Sequence, residues 1–245
     1  MLLIYYFVIL LLINKLFSLF NFVFYLHYLF NNTINVIMLN VGVMRRKIIK
    51  YSIDRIRSKY PEYSEEKLDE IEYGLEAIYI TLTKAIVIFL VSLSLGVLKE
   101  VFYIILFYNI IRTTAFGMHA KTSLQCYVIS GLLFVGAGLI CKYFYMGFYL
   151  KLIISVFCFL NILLFAPADT YKRPLINSKK RNLYKILSFI ISYTYVALIL
   201  LFYNSDFSNY LLFGLVDITV MIHPITYRVF QLPYNNYKTY NSYSN

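Results

Sequence analysis

The sequence predicts an all-α fold: a polytopic helical membrane protein with about six transmembrane helices after residue 76. Three observations carry this expectation. The 245 residues are 60% hydrophobic and 14% charged, with a mean hydropathy of +0.67, which is more apolar surface than a soluble domain of that length can bury. Apolar runs of span length recur between short polar breaks. Five prolines and nine glycines favour long helices, and the polar–apolar alternation of an outer-membrane barrel is absent from the sequence.

Residues 1–43 form an apolar N-terminal extension with Lys15 as its one cation and no acid. It lacks the basic start and small-residue cleavage site of a signal peptide. Either it adds a span that places the N-terminus outside, or it precedes the natural start at Met44, which Arg45-Arg46-Lys47 follows at once. We favour the second reading. Residues 44–76 are expected to be a cytoplasmic amphipathic segment. Arg45 to Lys59 holds seven Lys or Arg and one acid, Asp54, whereas Glu62 to Glu76 is acidic. Together they read as a helical hairpin on the inner membrane surface. Most of these charges make a solvated helix face. Glu76 differs, because an acid at the mouth of a span is costly without a partner, and Arg112 is the candidate.

The membrane-embedded domain is expected over 77–227, followed by a polar tail, 228–245. Its spans are Ala77–Leu98, Val101–Ile111, Tyr127–Cys141, Leu152–Ala166, Leu183–Tyr203 and Tyr210–Tyr227. Lys84 lies near one end of the first and can snorkel. The second is short and crosses only if Thr113–Met118 continue it. Basic residues assign the sides. Arg45–Lys59 and the loop Lys172–Lys185, with six basic residues and no acid, are expected in the cytoplasm. Alternation then puts Lys99-Glu100, Lys142 and Ser205-Asp206 outside, and Thr113–Gln125 and the C-terminus inside. This orientation also accounts for the net charge of +11, so nucleic acid is not an expected partner. Three cysteines give no disulfide framework, and Cys141 and Cys158, inside apolar runs, read as inert packing.

Between the second and third runs, Arg112 to Cys126 gathers an arginine, Gly117, His119 and Cys126 at a membrane boundary. A neutral imidazole can take the proton from a thiol, and the thiolate is a strong nucleophile. The spacing alone is a weak motif, and it equally describes a polar turn that happens to carry both residues. In one straight helix, seven positions would separate the pair by about 10.5 Å along the axis, beyond hydrogen-bond reach. A turn must therefore fold His119 back. Gly117, Lys121, Thr122 and Ser123 suit a loop followed by a new helix N-terminus, whose dipole would favour a thiolate at Cys126.

From Met44 onward the sequence resembles the accessory gene regulator protein B family, membrane proteases of bacterial quorum sensing. The likeness rests on Ile71-Glu-Tyr-Gly-Leu-Glu76, on Arg112 with Gly117-Met118-His119-Ala120-Lys121, and on Cys126 seven residues after the histidine. Ala166-Pro-Ala-Asp169, Tyr171-Lys-Arg-Pro-Leu175 and Lys179-Lys180-Arg181 complete it. Many members have two adjacent glycines before the histidine; here one position is Phe116, which bears on the shape of the turn.

The resemblance implies a cysteine endopeptidase with His119 and Cys126 catalytic and Arg112, Gly117 and Glu76 supporting. The substrate it implies is a small precursor peptide with an amphipathic N-terminal helix and an acidic C-terminal tail. Removal of the tail through an acyl thioester on Cys126 lets the signal segment close to a thiolactone or lactone. Lys179, Lys180 and Arg181 are candidate binders of the acidic tail. No cofactor and no metal are expected. The bilayer is a second partner, a homodimer a possible state, and the location the bacterial cell membrane, multi-pass, with the active site facing the cytoplasmic leaflet. A non-enzymatic transporter or peptide exporter is the alternative, with intramembrane Asp217 as a coupling site. A membrane sensor whose basic loops bind anionic lipid is a further rival, but it leaves the His–Cys pair idle.

Overall fold

The computed structural model describes residues 35–118, 120, 122–170 and 174–238. All regular elements among them are helices: α1 (Asn35–Lys59), α2 (Glu65–Ser94), α3 (Leu98–Ala115), α4 (Ser123–Tyr143), α5 (Phe148–Phe165), α6 (Ser178–Leu201), α7 (Asp206–Ile222) and α8 (Pro224–Val229). The chain divides into two compact units, one ending at Leu82 and one beginning at Thr83, so the boundary falls within α2. Most of the N-terminal extension, residues 1–34, lies outside the described residues.

In the first unit α1 and the start of α2 form the hairpin that the charge pattern predicts. Arg57 pairs with Glu65 across the turn at 2.7 Å, and Tyr60 stacks on Tyr63 with centroids 5.2 Å apart. At the open end Arg45 Nε stands 3.8 Å from Glu76 Oε1. Moving back along α1 and forward along α2 covers nearly the same rise between the two pairs, as antiparallel helices require. Ile49, Ile53 and Leu68 are its buried apolar residues. Ile49 and Ile53, four apart, share one helix face.

The second unit is a bundle centred on α7. Eleven of its 17 residues are buried, among them Leu211, Leu212, Leu215, Ile218 and Ile222. The helix α3 packs closely against it. A Cβ at Gly214 would come within 3.1 Å of Phe107 Cβ and 3.2 Å of the Tyr108 nitrogen, so glycine permits the approach. Tyr195 of α6 donates to the Phe107 carbonyl at 3.0 Å.

Six spans were expected, and among the described residues four helices are long and apolar enough to cross a membrane: α2, α4 (from Leu124), α5 and α6. The two that fall short, α3 and α7, pack against each other, and α7 is the more buried. Helix α3 carries Lys99, Glu100 and Arg112, and α7 is 17 residues long with Asp206 and Asp217. Helices shielded by neighbours need not be apolar on every face. Composition, length and the covering helices together make this an all-helical membrane protein.

The ends of the bundle differ. At one, Lys142 Nζ donates to the Gly96 carbonyl at 2.6 Å, and Lys151 Nζ donates to the Tyr203 carbonyl and Ser208 Oγ, both at 2.6 Å. These contacts join loops that the charge pattern assigned to one side. At the other end lie the α3–α4 loop, the α5–α6 loop and the segment after α7.

Candidate functional site

Backbone bonds build the second end. The Gly117 N–H donates to the Ala168 carbonyl, the Met118 N–H to the Met221 carbonyl and the Ala168 N–H to the Ala115 carbonyl, each at 3.0 Å. Phe116 and Ala168 thereby form an isolated parallel bridge. Helix α3 ends as the expectation required, and residues 116–118, 120 and 122 are non-helical.

Two residues at this exit have left-handed backbones, Phe116 at φ 60° and Gly117 at φ 108°. Gly117 suits such a conformation, and a Cβ there would lie 3.1 Å from both Met221 Cβ and the Met221 carbonyl oxygen. Phe116 does not suit it, at a cost on the order of 1–3 kcal/mol. Its ring packs edge-on to Tyr184 of α6 with centroids 4.9 Å apart, which offsets part of that strain. The turn thus keeps a glycine-type conformation where the sequence has phenylalanine.

Arg112 holds the loop from inside. Its Nη1 donates to the Tyr108 hydroxyl, and its Nη2 donates to the Met118 carbonyl at 3.2 Å. Glu76, for which Arg112 was the candidate partner, has an ion pair with Arg45 in its own unit. His119 and Lys121 lie outside the described residues.

Cys126 sits in the first turn of α4. Thr122 caps that helix by accepting from the Gln125 N–H at 3.2 Å, while the Gln125 side chain accepts from the Thr122 N–H at 3.4 Å, a capping box. The Cys126 N–H donates to the Thr122 carbonyl at 3.1 Å, so the thiol belongs to the turn where the helix dipole favours negative charge. The thiol is half-buried, as is that of Cys141, whereas Cys158 is buried. Lys84 Nζ of α2 stands 3.8 Å from Cys126 Sγ. Sequence reasoning gave Lys84 only a snorkelling role. The available signal was a cation within an otherwise apolar run, a feature that by default marks function.

The basic run opens α6. Asn177 Oδ1 accepts from the N–H groups of Lys179 and Lys180 at 3.0 and 3.2 Å. Lys179, Lys180 and Arg181 occupy a first turn without an acid, at the positive end of the helix dipole. Lys179 and Lys180 are exposed. Arg181 is half-buried and its guanidinium lies 3.9 Å from the Tyr237 ring centroid. Lys172 and Arg173 lie outside the described residues.

Asp169, the last residue of the Ala166-Pro-Ala-Asp169 motif, organises this loop. Its carboxylate accepts from the N–H groups of Leu175 (3.3 Å), Asn236 (2.9 Å) and Tyr237 (2.8 Å). The C-terminal segment is thereby clasped to the α5–α6 loop. Burial, with Tyr237 and Asp169 adding to it, pushes the nearby Tyr234 phenol up to about 12. Asp217 and His223 lie near the end of α7. His223 Nδ1 accepts from the Ile225 N–H at 3.2 Å, and Asp217 Oδ2 is buried without a hydrogen-bond partner among the described residues.

Fold and site together define a helical membrane protein with a thiol at a helix start beside a cation. The Accessory gene regulator B (AgrB) family matches residues 46–226, and the chain belongs to that family. It is 32% identical over 173 residues to an AgrB-like protein of Clostridium acetobutylicum, covering 70% of this chain and 82% of that one. An AgrB-like protein of Listeria monocytogenes is 31% identical over 176 residues, or 72% of this chain and 86% of the relative. The accessory gene regulator protein B of Staphylococcus aureus is 29% identical over 157 residues, 64% and 82% of the two chains. No solved structure gives a significant match.

Proposed function

We propose that this protein is a membrane cysteine endopeptidase of quorum sensing. It cuts the C-terminal tail from a small amphipathic precursor peptide and lets the remainder cyclise. The observation that carries the reading is the placement of Cys126: a half-buried thiol in the first, capped turn of α4, directly after the loop that bears His119. Family membership supports it, because a peptide-processing role accords with accessory gene regulation.

The chemistry follows from the residues. His119 takes the proton of the Cys126 thiol, and the sulfur attacks the scissile carbonyl carbon. A C–S bond forms, the C–N bond breaks, and the leaving amine takes the proton from the imidazolium. The acyl thioester retains enough transfer potential for a thiol or hydroxyl of the substrate to displace Cys126. That second attack breaks the enzyme C–S bond and closes a thiolactone or lactone. Shielding from water favours ring closure over hydrolysis. Arg112 keeps the residue before His119 in place, and Gly117 provides its turn. Lys179, Lys180 and Arg181 attract the acidic tail on the cytoplasmic side, where the positive-inside rule puts them.

Cleavage of the precursor by the protein in membranes tests this reading. Cys126→Ala and His119→Ala should each abolish it while the protein still inserts. Full activity in Cys126→Ala would sink the proposal. A transport role draws support from Asp217 Oδ2, which is buried without a hydrogen-bond partner among the described residues. Loss of export in Asp217→Asn, with cleavage unaffected in wild type and Cys126→Ala alike, would favour it instead.

A further inference from the structure

Two consecutive residues of α2 meet two consecutive residues of α4. Thr83 and Tyr127 join hydroxyl to hydroxyl, and one position along, Lys84 Nζ reaches Cys126 Sγ at 3.8 Å. The paired contacts fix the rotation of both helices and leave the lysine little choice of direction. Lys84 is half-buried on an otherwise apolar stretch, where a cation needs an anion or strong acceptors. Among the described residues it forms no ion pair with a carboxylate. Facing Cys126 from α3 is Tyr108, within electrostatic reach of the thiol and hydrogen-bonded to Arg112. Asp217 of α7 also lies within electrostatic reach of Tyr108, and the charged group within hydrogen-bond distance of the sulfur is the Lys84 ammonium.

We propose that Lys84 is a positioning residue for the Cys126 nucleophile. Its ammonium donates to Sγ, holds the sulfur in one rotamer and stabilises the negative charge left when the S–H bond breaks. The thiol proton goes to the base, the sulfur lone pair forms the C–S bond, and Lys84 keeps all its protons throughout. The inference rests on Cys126 being the nucleophile.

Alkylation tests it without any substrate. Full-length protein in membranes, carrying Cys141→Ala and Cys158→Ala so that Cys126 is the one thiol, is treated near neutral pH with neutral iodoacetamide and with anionic iodoacetate. Lys84→Met and Lys84→Gln should slow the iodoacetamide reaction on the order of tenfold, the effect of losing one hydrogen bond to a charged group. Both should slow iodoacetate more, because the local cation that attracts the anionic reagent has gone. Lys84→Arg should restore much of both rates. A merely structural lysine would not change the ratio between the reagents. Unchanged rates in Lys84→Gln, or an equal loss in Lys84→Arg and Lys84→Gln, would overturn the inference. Cleavage by Cys126→Ala would instead defeat the reading on which it rests, so the two failures are distinguishable.

Discussion

Arg112 Nη2 donates to the carbonyl of Met118 at 3.2 Å, which ties the last turn of α3 to the residue that precedes His119. The same guanidinium donates from Nη1 to the Tyr108 hydroxyl. One planar group thus serves two acceptors in different directions, a task the compact ammonium of lysine performs poorly. Arg112→Lys should reduce cleavage about tenfold or more, since a hydrogen bond from a charged group contributes about 1.5–3 kcal/mol. Insertion should be intact. Wild-type activity in this variant would show that the Met118 contact is dispensable.

The three thiols should separate by environment. Cys141→Ala should cleave normally. Cys158→Ala, at a buried position in α5, should cost stability of about 1 kcal/mol through the small cavity it leaves, yet retain cleavage. Thermal unfolding in detergent together with a membrane cleavage assay measures both effects. A dead Cys141→Ala that still folds would point to a second reactive thiol.

At the left-handed exit of α3 the order of substitutions matters. Gly117→Ala adds a Cβ within 3.1 Å of Met221 at φ 108°, and it should lower stability by about 1–3 kcal/mol and impair cleavage. Phe116→Gly loses the Tyr184 contact but removes strain, whereas Phe116→Ala loses the contact and keeps the strain. The glycine variant should therefore be the more stable of the two in thermal unfolding. The reverse order would mean that the φ of 60° carries little strain.

Neutralising Lys179, Lys180 and Arg181 together should raise the KM for the precursor and flatten its salt dependence. Each exposed pair contributes about 0.2–1 kcal/mol, so the three together change KM roughly threefold to a hundredfold. Orientation should survive, because Lys172, Arg173 and Lys185 remain. Removal of charge relieves repulsion at the helix dipole for Lys179 and Lys180, while Arg181 also gives up its contact with the Tyr237 ring. Unchanged kinetics would leave the run as an orientation signal.

Hydropathy alone revealed the helical class, and the spacing of His119 and Cys126 required the break that ends α3 and restarts at Ser123. The span count came out too high because apolar runs were read without their length and charge limits. Helices α3 and α7 are apolar enough to suggest spans, but Lys99, Glu100 and Arg112 interrupt the first and the second is 17 residues long; of their charged residues only Asp217 is buried. The Lys84–Cys126 contact was not legible, because it joins separate helices and depends on their relative rotation. Asp169 was equally opaque, since its partners are backbone N–H groups that carry no mark in the sequence. The charges of the hairpin were legible as a pattern, but the pairing of Arg45 with Glu76 within it was not.

The stitching of residues 115–118 to Ala168 and Met221 uses main-chain donors and acceptors throughout. Such a seam is blind to side-chain identity except where, as at Gly117, there is no room for one. Side chains on the seam can therefore vary without opening it. If the proposed cleavage holds, a scaffold joined in this way could keep its shape while the side chains around it change to suit another peptide.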